Sequence, residues 1–296
     1  MSTTAGGLPR EAFDRLLGEL RPRLHRYSAR MTGSVIDGED VLQDAFVKAL
    51  EAFDRAGPSS NPEGWLFSIT HNAALDFLRR RSRIAALHAD VETDMIADPG
   101  TLGDREAVAA SLRSFMHLPV NQRSSVILMD VLGYSLADIN VITGSSIAAI
   151  KTALHRGRAR LRELTAAEEP VPALTLTEPE RSRFAAYVER FNARDFDAIR
   201  DMLAEDVRLD LVAHKRADGR SEVASYFGNY GRARGWRLIL GAVEGRPALL
   251  VHDPEDPSGR MYYFILLEWD GNRIRLIRDF AHARYALEGA DLRLVS

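Results

Sequence analysis

The chain of 296 residues contains no cysteine, which excludes disulfides and thiolate metal sites. A reducing compartment is consistent with that absence, and a cytoplasmic location is the expectation. Residues 1–30 lack the apolar core of a signal peptide, and no apolar run approaches the ~20 residues of a membrane span, so no membrane partner is expected. A positive net charge is missing as well: 39 Lys+Arg stand against 42 Asp+Glu, a balance of −3. Residues 1–166 hold 20 basic and 20 acidic side chains, leaving 19 and 22 for residues 167–296. Any nucleic-acid contact must therefore come from local patches rather than bulk charge. No cofactor or metal motif is evident, and none is expected. The apolar fraction of 46% is that of a globular protein, and the length suggests two or three domains.

The most informative stretch is Gly133–Leu164, GYSLADINVITGSSIAAIKTALHRGRARLREL. Leu136, Ile139 and Ile142 recur at steps of three, one apolar face of a short helix. Gly144 stands where that helix must stop, since glycine takes a left-handed backbone cheaply. Ser145 and Ser146 offer a hydroxyl N-cap to a second helix, which should bury Ile147, Ile150, Leu154 and Leu161. Its other side presents Ser145, Ala148, Ala149, Thr152 and Arg156, flanked by Lys151 and His155. From Lys151 to Arg162 there are five Lys or Arg residues and no acid. Two short helices joined by a glycine turn, the second small, polar and basic outward, make a helix-turn-helix suited to the major groove. An ordinary helical hairpin with a solvated basic end fits the same periodicity.

Earlier in the chain, Phe13, Leu16, Leu17, Leu20 and Leu24 form one helical stripe, and Val41, Leu42, Ala45, Phe46, Ala49, Leu50 and Phe53 form another. Asp40, Gln43, Asp44 and Lys48 share the polar side of the second. A turn-rich stretch, Arg55–Gly64, leads into WLFSITHNAALDFLRRRSR, where Trp65 precedes a strongly basic end. Aromatic side chains beside arginines suit melted nucleic acid, by stacking and phosphate contact, although Trp65 is equally a candidate for the core. Asp90–Gly100 carries four acids and no base and reads as a flexible linker. Helices resume near Ala107 and continue through Leu112, Phe115 and Leu118, with Pro119 opening a further one.

In this order the motifs DGEDVLQDAFVKALEAF, NPEGWLFSITHNAALDFLRRRSR, an acidic linker and LPVNQRSSVILMDVLGYSLADINVITGSSIAAIKTALHRGRARL resemble a bacterial sigma factor of the compact extracytoplasmic-function type. The resemblance covers residues 10–165. It implies partners in promoter DNA and core RNA polymerase, through the β and β′ subunits, and no enzymatic activity. It implies that Asp40, Gln43, Asp44 and Lys48 dock on the β′ coiled coil. The melted −10 element would be held by Asn61, Trp65, Asn72, Asp76, Arg79, Arg80, Arg81 and Arg83. The −35 groove would receive Ser145, Ser146, Ala149, Lys151, Thr152, His155, Arg156 and Arg158. His71 and Ala153 stand where the family commonly has arginine, and Gly157 weakens the recognition helix by roughly 1 kcal/mol relative to alanine. Sigma region 2 is assigned to 1–84, an acidic linker to 85–110 and sigma region 4 to 111–165. Joined by a flexible segment, the two sigma regions on their own should sample many separations, and residues 180–296 are expected to pack against them and hold the free protein compact.

After a proline-containing linker, 166–179, residues 180–296 read as a separate α+β domain. Helical periodicity in Phe184, Val188, Phe191, Phe196, Ile199 and Leu203 precedes strand-like runs at Val207–Val212, Trp236–Val243, Ala248–His252, Met261–Trp269 and Ile274–Phe280. Asp270-Gly271-Asn272 signals a hairpin between the last two. The whole resembles the SnoaL-like cone, a curved sheet closed by helices around a pocket. The expected architecture is thus multidomain, two all-α sigma domains followed by an α+β cone. The resemblance implies that the cone regulates the sigma part in cis by intramolecular contact, with an unknown small ligand as a candidate for its pocket. Asp210, His214, Tyr262, Asp279 and His282 are the cone's only candidates for acid–base chemistry. A ligand-sensing helix-turn-helix regulator acting without polymerase is the alternative reading of the chain.

Overall fold

The computed structural model describes residues 9–56, 60–86, 111–165, 174–232 and 235–295. The acidic linker from 87 to 110, positions 57–59 of the turn-rich stretch and residues 166–173 lie outside the described residues. Two compact units divide the chain, Met1–Glu169 and Pro170–Ser296. Among the described residues no helix is long and apolar enough to cross a membrane.

The first unit is all helix. Helix α1 (Arg10–Thr32) buries Phe13, Leu17, Leu20, Leu24, Tyr27 and Met31, and Gly33, at φ 79°, ends it. Helix α2 (Val35–Ala56) lies so close to α1 that a Cβ on Gly38 would fall 2.6 Å from the Ala29 backbone. Helix α3 (Pro62–Ala86) begins where the Asn61 side chain accepts the Gly64 N–H, 3.0 Å. Beyond the linker come α4 (Leu112–Met116), α5 (Val120–Val126) with a wider π-type turn at Ile127–Val131, α6 (Leu136–Thr143) and α7 (Ile147–Thr165).

These helices do not form two independent bodies. Phe13, Leu24, Tyr27 and Phe67 from the front half share one apolar cluster with Phe115, Val126, Ile139 and Leu154 from the back half. A flexible linker permits separation, but burial of facing apolar surface opposes it.

The second unit is a seven-stranded sheet with α8 (Glu178–Asn192), α9 (Phe196–Asp201) and α10 (Arg220–Arg232). Its strands are β1 (Leu203–Leu211), β2 (Lys215–Asp218), β3 (Arg237–Val243), β4 (Arg246–His252), β5 (Met261–Asp270), β6 (Arg273–Asp279) and β7 (Leu292–Leu294), in the order β2-β1-β6-β5-β4-β3-β7. Among the described residues only β1 and β6 pair in parallel; the other pairs are antiparallel. The five strands expected from the sequence are present, and β2 and β7 are added at the two edges. Asp270 pairs with Arg273, so Gly271-Asn272 is the hairpin turn, with Gly271 at φ 54°.

Candidate functional site

Two exposed surfaces of the first unit carry the residues singled out from the sequence. The back surface is built on α6 and α7. Ser135 caps α6 by accepting the Asp138 N–H while Asp138 accepts the Ser135 N–H, a reciprocal box. Gly144 ends α6 at φ 70°, and Ser146 caps α7 by accepting the Ala149 N–H at 3.2 Å. Ile139, Ile142, Ile150, Leu154 and Leu161 are buried. Outward stand Ser146, Ala149, Lys151, Thr152, His155 and Arg156, all exposed.

Two members of the expected row are not outward. Arg158 shares the inward side with Leu154 and Leu161, and its guanidinium grips Asp130 with two hydrogen bonds, Nε to Oδ2 at 2.9 Å and Nη2 to Oδ1. Asp130 is the cause: its side chain is 2% exposed and needs a cation. Ser145 is half-buried, its carbonyl taken by the Asn140 side chain and its N–H by Thr143 Oγ1. Ile147, expected in the core, is 45% exposed beside the outward row. Gly157 has a packing role: a Cβ there would meet Val126 Cγ2 at 2.8 Å and Gln122 Cβ at 3.2 Å. Its absent side chain lets α7 approach α5, which offsets the lower helix propensity.

The front surface lies on α2 and α3. Asp40, Asp44 and Lys48 are exposed and Gln43 is half-buried on α2. On α3, Asn72, Arg79, Arg80, Arg81 and Arg83 are exposed and Asp76 is half-buried. Trp65 packs partly against Phe13, ring centroids 6.0 Å apart, so it serves the edge of the core. Asn61 lines a hollow of about 350 Å³ with Ala12, Arg15, Leu16, Glu19, Pro62 and Glu63. Arg81 is engaged with Asp37 at 3.5 Å and with the Thr32 carbonyl at 3.3 Å. His71 is buried against the Tyr27 hydroxyl, 2.6 Å from Nδ1, and desolvation lowers its pKa to about 4, so the ring is neutral near pH 7.

A third group of polar residues, which no sequence period marks, stitches the two halves. Arg123 of α5 is 4% exposed and donates to the carbonyls of Met31, Leu118 and Met116. Burial depresses even this guanidinium to a pKa of about 10. Glu63 accepts from both Arg23 Nη1, at 2.7 Å, and the Tyr134 hydroxyl, and Arg23 lies over the Tyr134 ring. Ser68 donates to the Val141 carbonyl at 3.3 Å, joining α3 to α6. The only cue in the sequence was the rarity of a buried arginine or glutamate, and burial is a tertiary fact.

Comparisons with known proteins give the family. Residues 16–84 match the family model of sigma-70 region 2, and residues 112–161 match that of sigma-70 region 4. The ECF RNA polymerase sigma factor SigM of Mycobacterium tuberculosis is 35% identical over 159 residues, covering 52% of this chain and 78% of that protein. The chain belongs to the extracytoplasmic-function sigma factors. ECF sigma factor SigE of Mycolicibacterium smegmatis is 31% identical over 52% of this chain and 62% of its own length. A solved structure, the M. tuberculosis ECF sigma factor SigJ, is similar at 18% identity over 90% of this chain and 95% of its own, with a TM-score of 0.34.

In this ECF sigma factor the C-terminal unit has the α+β form expected of a SnoaL-like cone. Its centre is occupied by side chains. Asp279 is fully buried; Oδ2 accepts from the hydroxyls of Tyr226 and Tyr230, the latter at 2.6 Å, and Oδ1 accepts the Ala281 N–H at 2.8 Å. Tyr263 reaches Tyr230 at 3.1 Å, and Phe191 and Trp236 pack edge-on against the Tyr230 ring. Desolvation raises the Asp279 pKa against the pull of its three donors, and raises those of Tyr226 and Tyr230. A ligand at this point would have to displace the cluster. Of the other acid–base candidates only His282 interacts with Asp279, and it does so through charge rather than a described hydrogen bond. Asp210 is held by Arg278 and Arg216, Tyr262 donates to Asp256, and His214 stacks on His282 with centroids 4.4 Å apart. Burial and the neighbouring His214 lower the His282 pKa.

Proposed function

We propose that this sigma factor docks on RNA polymerase core through Asp40, Gln43, Asp44 and Lys48 of α2. Along α3, Asn61, Asn72 and the arginines from Arg79 to Arg83 hold the melted −10 strand, with Trp65 at its edge. Helix α7 enters the −35 major groove. The carrying observation is the exposed row Ser146, Ala149, Lys151, Thr152, His155 and Arg156 on the second helix of a capped helix-turn-helix. Small residues allow close approach, Arg156 and Lys151 reach phosphate or guanine, and exposed Ile147 suits a thymine methyl. Transcription in vitro with purified core enzyme tests the reading. Transcripts must start from a cognate promoter only when this chain is added. A regulator that acts without polymerase would instead shift duplex DNA alone and start none.

The shared core adds a step. Promoter elements about 25 base pairs apart lie roughly 85 Å apart along a duplex at about 3.4 Å per pair. A compact body of about 160 residues has a radius of gyration near 15 Å. The two regions therefore have to part along the Arg123 and Glu63 contacts before both elements are held. The C-terminal unit, tethered through the segment between Thr165 and Thr177, works at an effective concentration near millimolar on either region and sets how readily that opening occurs.

A further inference from the structure

The α2 and α3 surfaces assigned to two different partners are bonded to one another. Asp37, Asp44 and Lys48 lie at steps of seven and four, one side of α2. They meet α3 in reverse order: Asp37 with Arg81 at 3.5 Å, Asp44 with Arg80 at 3.3 Å, and Lys48 with Asp76 at 3.3 Å. Asp76 also holds Arg79 at 3.5 Å. Three successive arginines of the strand-holding helix thus rest on carboxylates, two of them on carboxylates of the docking helix. The pairs run along an antiparallel seam whose apolar side is buried, so the backbone sets their spacing and little side-chain order is needed to form them.

A carboxylate oxygen and a phosphate oxygen offer a guanidinium the same hydrogen bonds. The Arg80 Nη2 that contacts Asp44 Oδ2 cannot make the same bond to DNA at the same time. A partner that draws Asp44 away leaves the Arg80 donors to water and a positive field facing solvent. We infer that this row is a charge exchange: polymerase takes the α2 carboxylates, and the α3 arginines are thereby released to promoter phosphates. The inference rests on the surface assignments of the proposed function. Coupling between the two sites is reciprocal, so phosphate bound to α3 must also favour docking on α2 by the same factor. Half-exposed ion pairs are individually weak, so each step of the exchange amounts to a few-fold change, and it fades as salt screens the seam.

The test uses the full-length chain without polymerase and a fluorescein-labelled oligo(dT) of about 20 nucleotides, since phosphate contact needs no particular sequence. Affinity is measured at about 50 mM and about 300 mM NaCl for wild type, Asp44→Asn, Arg80→Gln, their combination, and Glu51→Gln. Glu51 lies exposed on α2 outside the row and matches the change in net charge. Asp44→Asn should bind about threefold tighter than wild type at low salt and lose that gain at high salt. The gain should disappear in the Arg80→Gln background and be absent in Glu51→Gln. An equal gain from Glu51→Gln, no gain from Asp44→Asn, or a gain that survives Arg80→Gln overturns the exchange. If replacing Arg79, Arg80 and Arg81 together by glutamine in the Asp44→Asn background leaves binding unchanged, the assignment of α3 to the DNA strand fails first, and that outcome is distinct from the other three.

Discussion

The two units bury polar groups at places of opposite consequence. In the sigma unit the polar groups that join the halves sit on a seam: buried Arg123 reaches from α5 to carbonyls at the end of α1, and half-exposed Glu63 of α3 joins Arg23 to Tyr134. Their partners are mostly backbone carbonyls and half-exposed side chains, which water can satisfy if the seam opens. In the C-terminal unit the buried group sits at the centre, where Asp279 is enclosed by tyrosines that have no other partner of comparable strength. Opening that cluster would strand an acid and two hydroxyls in an apolar interior. Parting the sigma seam would leave its polar groups to water, whereas opening the cone would not.

The largest effects should come from cutting one buried pair in each unit. Asp279→Ala removes the acceptor of three donors and should cost about 3–5 kcal/mol. Arg158→Ala strands Asp130, which should cost about 3 kcal/mol and unmoor α7. Hydrogen exchange read unit by unit checks the comparison, because protection should fall only in the C-terminal unit for the first and only in the sigma unit for the second. Loss in both units from either variant would show that the units are energetically one.

His71 should give the sigma unit a pH dependence of its own. The His71 pKa is held near 4 by burial, below the 6.5 of the unfolded chain. The stability contributed by its neutral form is complete above pH 6.5 and is lost as pH falls from there toward 4, by at most about 3 kcal/mol. Denaturant titrations between pH 7.5 and pH 4.5 should show that decline in wild type, and a shallower one in His71→Gln. Parallel profiles would place the proton elsewhere.

A smaller change tests the close approach of α7 to α5. Gly157→Ala gains helix propensity but drives a methyl into Val126 and Gln122, so a net loss of about 1 kcal/mol is expected in thermal unfolding. A gain in stability would mean that the helices shift apart without cost. The smallest expected effect is on dimensions. Removing residues 170–296 should leave the sigma unit compact in small-angle scattering, because the seam lies within it. An expansion on truncation would assign the closed state to the C-terminal unit instead.

Local features were legible in the chain because they depend on neighbours in sequence. The stop at Gly144, the Ser146 cap, the apolar stripes of α1 and α2 and the Gly271-Asn272 turn each need only a few consecutive residues. The outward row of α7 from Ala148 to Arg156 followed from the same periodicity, but Ser145 and Ile147 before it and Arg158 after it did not. What periodicity could not decide was which cation meets which anion. A step of three or four leaves Arg158 near the boundary between faces, and Asp130, 28 residues away, draws it inward. The same holds for β2 and β7, strands of four and three residues that exist because β1 and β3 offer them an edge. Arg123, the α2–α3 row and the tyrosines around Asp279 belong to that class as well. Residues brought together from far along the chain are paired by burial and charge, and those forces act only once the helices and strands have packed.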